Sequence, residues 1–192
     1  IRDRGWTVLV TGGGGYVGSV LIPKLLEQGH RVIVLDLFQF GDDIFEKYKD
    51  YENFQQINGD FTDPQTMTTT LQGCDAIIHL ACATGRTNQQ ATKIENANKL
   101  TSFKSLLEMA KSAGVKRFIF ASSLRSKGFG SFPDAAIQPP LEETNEFLLN
   151  KEKCEHLLEE TRSQEFIVCT IRTAFVYGVA PSQRVDYGIN AY

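Results

Sequence analysis

The sequence has no long hydrophobic run, no block of like charge and no low-complexity segment. Its apolar runs have the length of strands, well short of the roughly 20 residues that cross a bilayer, so we expect no transmembrane segment. The first residues lack the basic, apolar and small-residue succession of a signal peptide. The net charge is −3, and no stretch interleaves basic with aromatic residues, which argues against a nucleic-acid surface. We therefore predict a cytoplasmic protein with neither membrane nor nucleic-acid partners.

Patterns for metal ligands and disulfides are lacking as well. The four cysteines are widely spaced without a Cys-x-x-Cys pair, and most lie in apolar patterns: Cys74, Cys82, Cys154 and Cys169. We predict that they are reduced core thiols. The three histidines fall in a predicted turn, strand and helix, and no two share a ligand spacing: His30, His79 and His156. We therefore predict that there is no metal site.

The most informative stretch is a glycine-rich segment that follows a short apolar run and opens a helical pattern. Gly12, Gly15 and Gly18 would allow a tight turn, close approach of a ligand to the main chain and close helix–strand packing. The first amides of the helix, at Tyr16 and Val17, would carry partial positive charge and suit a pyrophosphate. The alternative interpretation is a glycine-rich turn with a structural role alone.

An acidic residue follows at the spacing expected for a dinucleotide site. The apolar run 31–36 ends in Asp36, about twenty residues after the turn. A carboxylate at this position can accept both ribose hydroxyls of NAD and would repel the additional phosphate of NADP. The turn and the acid together predict NAD as the cofactor.

Short apolar runs alternate with helical patterns along the whole chain. Strands are predicted at 8–10, 31–36, 54–61, 75–81, 118–121 and 166–172. Helices are predicted from the glycine turn to Gly29 and at 42–49, 64–71, 96–113 and 150–161, and loops at 84–94 and 133–140. This alternation predicts an α/β fold, a doubly wound parallel sheet of the Rossmann type, with ligands at the carboxyl ends of the strands.

Together these landmarks resemble the extended short-chain dehydrogenase/reductases, especially the NAD-dependent nucleotide-sugar epimerase/dehydratase group. The matching residues are Thr11-Gly12-x-x-Gly15-x-x-Gly18, Asp36, Gly59-Asp60-Phe61, His79-Leu80-Ala81, the segment 115–123, and 172–178 with its Val176-Tyr177-Gly178. The resemblance implies an oxidoreductase that transfers hydride between NAD and a nucleotide sugar or related sugar derivative. It does not separate an epimerase from a dehydratase or a dehydrogenase.

The same resemblance implies roles for residues at the strand ends. Asp60 would hydrogen-bond the adenine with Phe61 beside it. Leu80 and Ala81 would line the cofactor ribose, and Thr173 would lie near the nicotinamide.

Ser123 falls where the family has the catalytic Ser or Thr that holds the substrate oxygen. A strand-end cap that serves only the backbone is an equally open interpretation of Ser123.

The family's central Tyr-x-x-x-Lys pair is only half present. The best alignment places Lys151 at the lysine and Phe147 at the tyrosine. In the family the ammonium stabilises tyrosinate and grips the nicotinamide ribose. A benzene ring cannot move a proton, so Phe147 leaves three explanations open: an engineered change, a natural member with altered chemistry, or a non-catalytic NAD-binding protein with a regulatory or partner-binding role.

The end of the chain resembles the start of the family's substrate-binding portion. We expect a dinucleotide-binding domain over 1–180, followed at 181–192 by the beginning of a truncated or disordered substrate lobe. Asn190 matches the asparagine that contacts the sugar nucleotide in the family. The resemblance also implies a homodimer through the helices predicted at 96–113 and 150–161.

Overall fold

The computed structural model describes residues 5–39, 41–82, 89–124, 145–174 and 176–182, with the backbone alone at 89–99 and 145–147. The strands are β1 (Thr7–Thr11), β2 (Arg31–Asp36), β3 (Phe54–Asn58), β4 (Ala76–His79), β5 (Arg117–Ser123) and β6 (Ile167–Thr173). The helices are α1 (Tyr16–Glu27), α2 (Pro64–Thr70), α3 (Gln89–Ser112) and α4 (Asn145–Thr161), with a 3₁₀ helix at Asp43–Tyr48. Among these helices, none is both long and apolar enough to cross a bilayer.

The strands form one parallel sheet in the order β3-β2-β1-β4-β5-β6. Strand β1 pairs with β2 on one side and with β4 on the other, so the strand order reverses between β1 and β4. In open α/β sheets such a reversal opens a crevice at the carboxyl ends of the strands, and ligands bind there. The predicted α/β fold with a doubly wound parallel sheet is confirmed.

Side chains that alternate along the strands build a core on each face of the sheet. One face packs against α2, α3 and α4 and includes Leu9, Ile33, Leu35, Ile77, Phe118, Phe120, Met67, Phe103, Leu106 and Leu158. The opposite face packs against α1 and the 3₁₀ helix and includes Val8, Val10, Val32, Val34, Ile22, Leu26, Phe45 and Tyr48. These two layers cover β1 and β2 from both sides.

Two helices have ends that specific residues define. Asp63 caps α2, because its carboxylate accepts from the amides of Gln65 and Thr66. Gly114 follows α3 with a φ of 79°, a left-handed conformation that glycine adopts without steric cost. Side-chain capping and positive φ are therefore local signals that the sequence already carries.

Several predicted boundaries were wrong. Helix α3 begins at Gln89 rather than at residue 96, so 89–94 is helix where a loop was predicted; α4 likewise begins at Asn145 rather than at 150. The first turns of α3 have few apolar residues at helical spacing. Neither added segment contains Gly or Pro, and several of their residues are good helix formers. Strands β3 and β4 end before Gly59 and Leu80, earlier than predicted. The loop predicted at 133–140 lies outside the described residues.

The cysteines divide into two groups. Cys74 and Cys154 are buried, as predicted, whereas Cys82 is half-buried and Cys169 is exposed. Cys169 was wrongly predicted as a core thiol because the apolar pattern of β6 does not reveal that it is the edge strand. No group of three potential metal ligands occurs in the part of the chain that the structure describes.

Candidate functional site

The glycine turn between β1 and α1 is enclosed by the neighbouring strands. Gly12 has a φ of 73° and donates its amide to the carbonyl of Leu35 at 2.8 Å. A Cβ on Gly12 would lie 2.5 Å from the backbone nitrogen of Ala81, and one on Gly18 would lie 2.2 Å from the carbonyl oxygen of Gly13. A side chain at either position would therefore clash with backbone, which explains why glycine stands there.

The N-terminus of α1 faces the crevice. Its N-cap is Gly15, in extended conformation; within the described residues no side chain caps the helix, and the first turn has no acidic residue. The amides of Tyr16 and Val17 therefore form the positive end of the helix dipole. Such an end is suited to a pyrophosphate group.

Asp36 ends β2 against the glycine turn. Its Oδ2 accepts from the amide of Gly14 at 2.9 Å, and its Oδ1 accepts from the amide of Phe38 at 2.9 Å. Each carboxylate oxygen can accept further hydrogen bonds, so the group is held in place and can still accept ribose hydroxyls. The structure thus brings Asp36 and the glycine turn together, as the sequence spacing required.

The residues predicted around the adenosine half follow β3 and β4. Asp60 is exposed, and its Oδ1 accepts from the amide of Thr62 at 2.8 Å. The ring of Phe61 stands edge-on to the ring of His79, with centroids 4.9 Å apart. Leu80 and Ala81 are half-buried and directly follow β4. These positions all lie at the same edge of the sheet as the glycine turn.

The residues predicted around the nicotinamide and the substrate lie at the ends of β5 and β6 and on α4. Lys151 Nζ donates to the carbonyl of Ala121 at 2.7 Å and lies 4.6 Å from the centroid of the Phe120 ring. Ser123 and Thr173 are the last residues of their strands and face each other in register. Lys151, Ser123 and Thr173 therefore share the carboxyl edge of the sheet on the far side of β4.

Two predicted site residues are not placed with their side chains. Position 147 lies in α4, four residues before Lys151, but only its backbone is described. Asn190 lies outside the described residues. The roles of Phe147 and Asn190 stay predictions.

Sequence reasoning missed a buried polar network behind Lys151. Glu155 is 6% exposed; it accepts a hydrogen bond of 2.5 Å from Ser122 Oγ and three from Arg172, the shortest at 2.6 Å. This hydrogen bonding raises the pKa of Arg172 above its usual value. The network ties α4 to β5 and β6 one turn after Lys151. The available signal was an acidic residue four positions after the lysine, on the same helix face.

Sequence reasoning also missed the burial of His79 next to Thr11, the residue that precedes the glycine turn. His79 Nδ1 and Thr11 Oγ1 share a hydrogen bond of 2.7 Å, and both residues are buried. Burial, assisted by the charge of Lys151, lowers the pKa of His79 to about 3. The imidazole is therefore neutral at physiological pH and serves as a polar core residue.

We expect His79 to make stability depend on pH. Between a pKa of about 3 in the folded chain and its ordinary value of 6.5, the unfolded chain binds a proton that the folded chain does not. The contribution is present above pH 6.5 and is lost as the pH falls towards 3, by up to about 1.4 kcal/mol per pH unit. The free energy of unfolding, measured with denaturant at several pH values in this range, should change less steeply with pH in His79→Asn than in the unchanged chain. Equal slopes would contradict the assignment.

The chain after β6 returns to the glycine turn. Tyr16 donates its hydroxyl to the carbonyl of Gly178 at 2.5 Å. Ser182 donates its amide to Ser19 Oγ at 3.4 Å. Tyr16 thus contacts this returning segment with its side chain, while its amide stays in the first turn of α1.

The reversal of strand order, the glycine turn and the carboxylate at the end of β2 define a dinucleotide-binding domain of the Rossmann type. The chain belongs to the NAD dependent epimerase/dehydratase family, whose model matches residues 8–191. The predicted resemblance to this family is confirmed.

Individual relatives agree with this assignment. UDP-glucose 4-epimerase of Bacillus subtilis is 28% identical over 187 residues, covering 93% of this chain and 55% of the relative. The structure of the UDP-Glc/GlcNAc 4-epimerase from Campylobacter jejuni matches with a TM-score of 0.72 and 26% identity, covering 88% of this chain and 53% of the other. The structure of MoeE5 in complex with UDP-glucose and NAD matches with a TM-score of 0.71 and 26% identity, covering 96% of this chain and 59% of the other. The chain therefore spans about half the length of these proteins.

Proposed function

We propose that the chain is the NAD-binding part of an oxidoreductase that acts on a nucleotide sugar. The observation that carries the proposal is the Asp36 carboxylate, hydrogen-bonded to the amide of Gly14 within the glycine turn. This contact holds a carboxylate that would accept the ribose hydroxyls next to a helix N-terminus that would bind the pyrophosphate, the combination that NAD requires. The complex of MoeE5 with UDP-glucose and NAD supports both the cofactor and the substrate class.

The residues present fit NAD. Gly12 and Gly18 leave space where a Cβ would meet backbone, and the N-terminus of α1 offers amides to the two phosphates. Asp36 would accept the ribose hydroxyls and disfavour a 2′-phosphate. When bound, NAD supplies a hydride acceptor for a sugar carbon. Asp60, Phe61, Leu80, Ala81 and Thr173 are the further residues proposed to hold it.

Lys151 and Ser123 are proposed to serve the reacting end. The Lys151 ammonium, from α4, donates to the carbonyl of Ala121, two residues before Ser123, so both groups lie at the carboxyl end of β5. Lys151 would hydrogen-bond the nicotinamide ribose, and its charge would favour an ionised phenol four residues earlier. Ser123 would hold the substrate oxygen by hydrogen bonding.

Position 147 decides whether the proton step has a carrier. Phenylalanine has no group that transfers a proton, so this chain is expected to bind cofactor while turning over slowly. A positioned proton carrier typically contributes a factor of about 10²–10⁴. We therefore expect Phe147→Tyr to raise turnover by at least about a hundredfold.

The test uses the full-length protein in both forms, incubated with NAD and a panel of nucleotide sugars that includes UDP-glucose. Reduced nicotinamide is followed by absorbance and products by chromatography. Leu149→Tyr is the matched control, because it adds a phenol at an exposed position of α4 with the wrong spacing to Lys151. Turnover in the Phe147→Tyr form alone is the expected result. Binding of NAD by every form with turnover in none would contradict the proposed enzymatic function.

Two wider expectations belong to the same proposal. Residues 181–192, with Asn190, would begin a substrate-binding portion that follows the domain at 1–180. A homodimer through α3 and α4 would follow from the family, and gel filtration at several concentrations measures it.

A further inference from the structure

Phe38 has an unusual backbone conformation beside the cofactor site. Its φ is 47°, the one positive value among the described residues other than glycine. Bulky side chains rarely adopt this region, and strain of this kind concentrates at functional sites. Phe38 is nevertheless 8% exposed and belongs to the core on the α1 face of the sheet. The surroundings therefore hold it in a conformation that it would otherwise avoid.

Phe38 supports the glycine turn and Asp36 at the same time. Its amide donates to Asp36 Oδ1 at 2.9 Å, while Asp36 Oδ2 accepts from the amide of Gly14 at 2.9 Å. Its ring lies against Gly14, because a Cβ on Gly14 would be 2.9 Å from two ring carbons. Its carbonyl accepts from the amide of Gly41 at 3.1 Å. Phe38, Gly14 of the glycine turn and the Asp36 carboxylate therefore each contact the other two, and we call this arrangement the triangle.

This triangle restricts where the carboxylate can go. A cofactor with a 2′-phosphate would require Asp36 to swing away, which would leave the amides of both Gly14 and Phe38 without their acceptor. The ring of Phe38 supports the Gly14 side of the triangle and so opposes that movement. We propose that Phe38 is a positioning residue that acts through Asp36 to set the preference for NAD over NADP, an inference that rests on the proposed function.

The test compares the dissociation constants of NAD and NADP by calorimetry for the unchanged chain, Phe38→Gly and Phe38→Leu. Glycine accepts the positive φ but removes the ring, so we expect the NAD preference to fall about tenfold. Leucine keeps apolar bulk against Gly14, so its preference should stay within about twofold of the unchanged chain. The ratio of the two constants is a quantity that a general loss of stability does not change.

Phe45→Ala is the matched control, since Phe45 is buried in the same core and has no contact with Asp36 among the hydrogen bonds and ring contacts described. It should lower the unfolding midpoint and keep the NAD preference. An unchanged preference in Phe38→Gly would overturn the inference while leaving the proposed function intact. Failure of the unchanged chain to bind NAD would overturn both.

A second measurement does not depend on whether Phe38→Gly folds. Hydrogen exchange followed by NMR should show slow exchange at the amides of Gly14 and Phe38 in the unchanged chain. Asp36→Ala should make both amides exchange at least about tenfold faster, because the same carboxylate accepts from both. Rapid exchange at these amides in the unchanged chain would show that the triangle is not maintained and would overturn the inference.

Discussion

Gly12→Ala is expected to weaken NAD binding by at least about a hundredfold, a loss of roughly 2.7 kcal/mol. The new Cβ would lie 2.5 Å from the nitrogen and 2.6 Å from the Cα of Ala81, and 2.8 Å from the carbonyl carbon of Leu80. All three atoms belong to the backbone, so the end of β4 or the glycine turn must move. Either movement displaces the amides at the start of α1 that are proposed to hold the pyrophosphate.

Gly73→Ala separates this steric effect from backbone strain. Gly73 has a φ of 71°, close to the 73° of Gly12, but a Cβ there would meet no atom within 4 Å. Both substitutions should therefore lose about 1–2 kcal/mol of stability from the left-handed conformation, and Gly12→Ala should lose more because of the clash with the backbone. Calorimetric titration with NAD should distinguish them, with binding weakened in Gly12→Ala alone. Equal affinities in the two variants would contradict the role given to the glycine turn.

Glu155→Ala is expected to lower the free energy of unfolding by about 2–4 kcal/mol. The change leaves the buried hydroxyl of Ser122 and the guanidinium of Arg172 without their shared acceptor. The Arg172 side chain is 41% exposed, so water can replace part of its lost hydrogen bonding. The expected loss of stability is therefore smaller than for a fully buried pair. Because Glu155 anchors α4 one turn after Lys151, NAD affinity should decrease as well.

Denaturant unfolding of Glu155→Ala and Glu159→Ala provides the measurement and its control. Glu159, on the same helix, pairs with Arg162 directly after the helix ends, but both side chains are more than half exposed. An exposed pair of this kind contributes little, so Glu159→Ala should leave the unfolding midpoint almost unchanged. Similar losses in the two variants would show that the network of Glu155 does not stabilise the fold.

The fold could be predicted because its strands are short apolar runs in regular alternation with helices. Each of the six predicted strands corresponds to a strand of the sheet, and β2 has the predicted bounds. The start of α3 at Gln89 was missed because the prediction relied on apolar spacing, whereas helix propensity and neighbouring structure determine such a turn. The exposure of Cys169 was missed because the residues of a strand do not indicate whether it lies at the centre or at the edge of a sheet.

The candidate site was predictable where motif residues lie close in sequence to strand ends, as with Gly12 and Asp36. The network of Glu155 was not predictable, since its partners lie 33 residues before and 17 residues after it in the sequence. The conformation of Phe38 was also missed, because a positive φ at a bulky residue contradicts its local preference and depends on packing around it. Contacts between distant segments account for most of what sequence reasoning omitted.

The fold and the proposed function are connected through the carboxyl edge of the sheet. At this edge the glycine turn and Asp36 lie on the β1 and β2 side, and Lys151 and Ser123 lie on the β5 side. A cofactor that extends across the reversal of strand order would reach both groups. Phenylalanine at position 147, the proposed position of the proton carrier, leaves all the residues proposed to bind NAD in place.

The most direct test of this account is a calorimetric titration of the unchanged chain with NAD and then, separately, with NADP. The account predicts one binding site per chain for NAD and an affinity for NADP that is weaker by at least about a hundredfold, because the carboxylate of Asp36 is proposed to accept the ribose hydroxyls. Absence of NAD binding, or equal affinity for the two dinucleotides, would contradict the central claim.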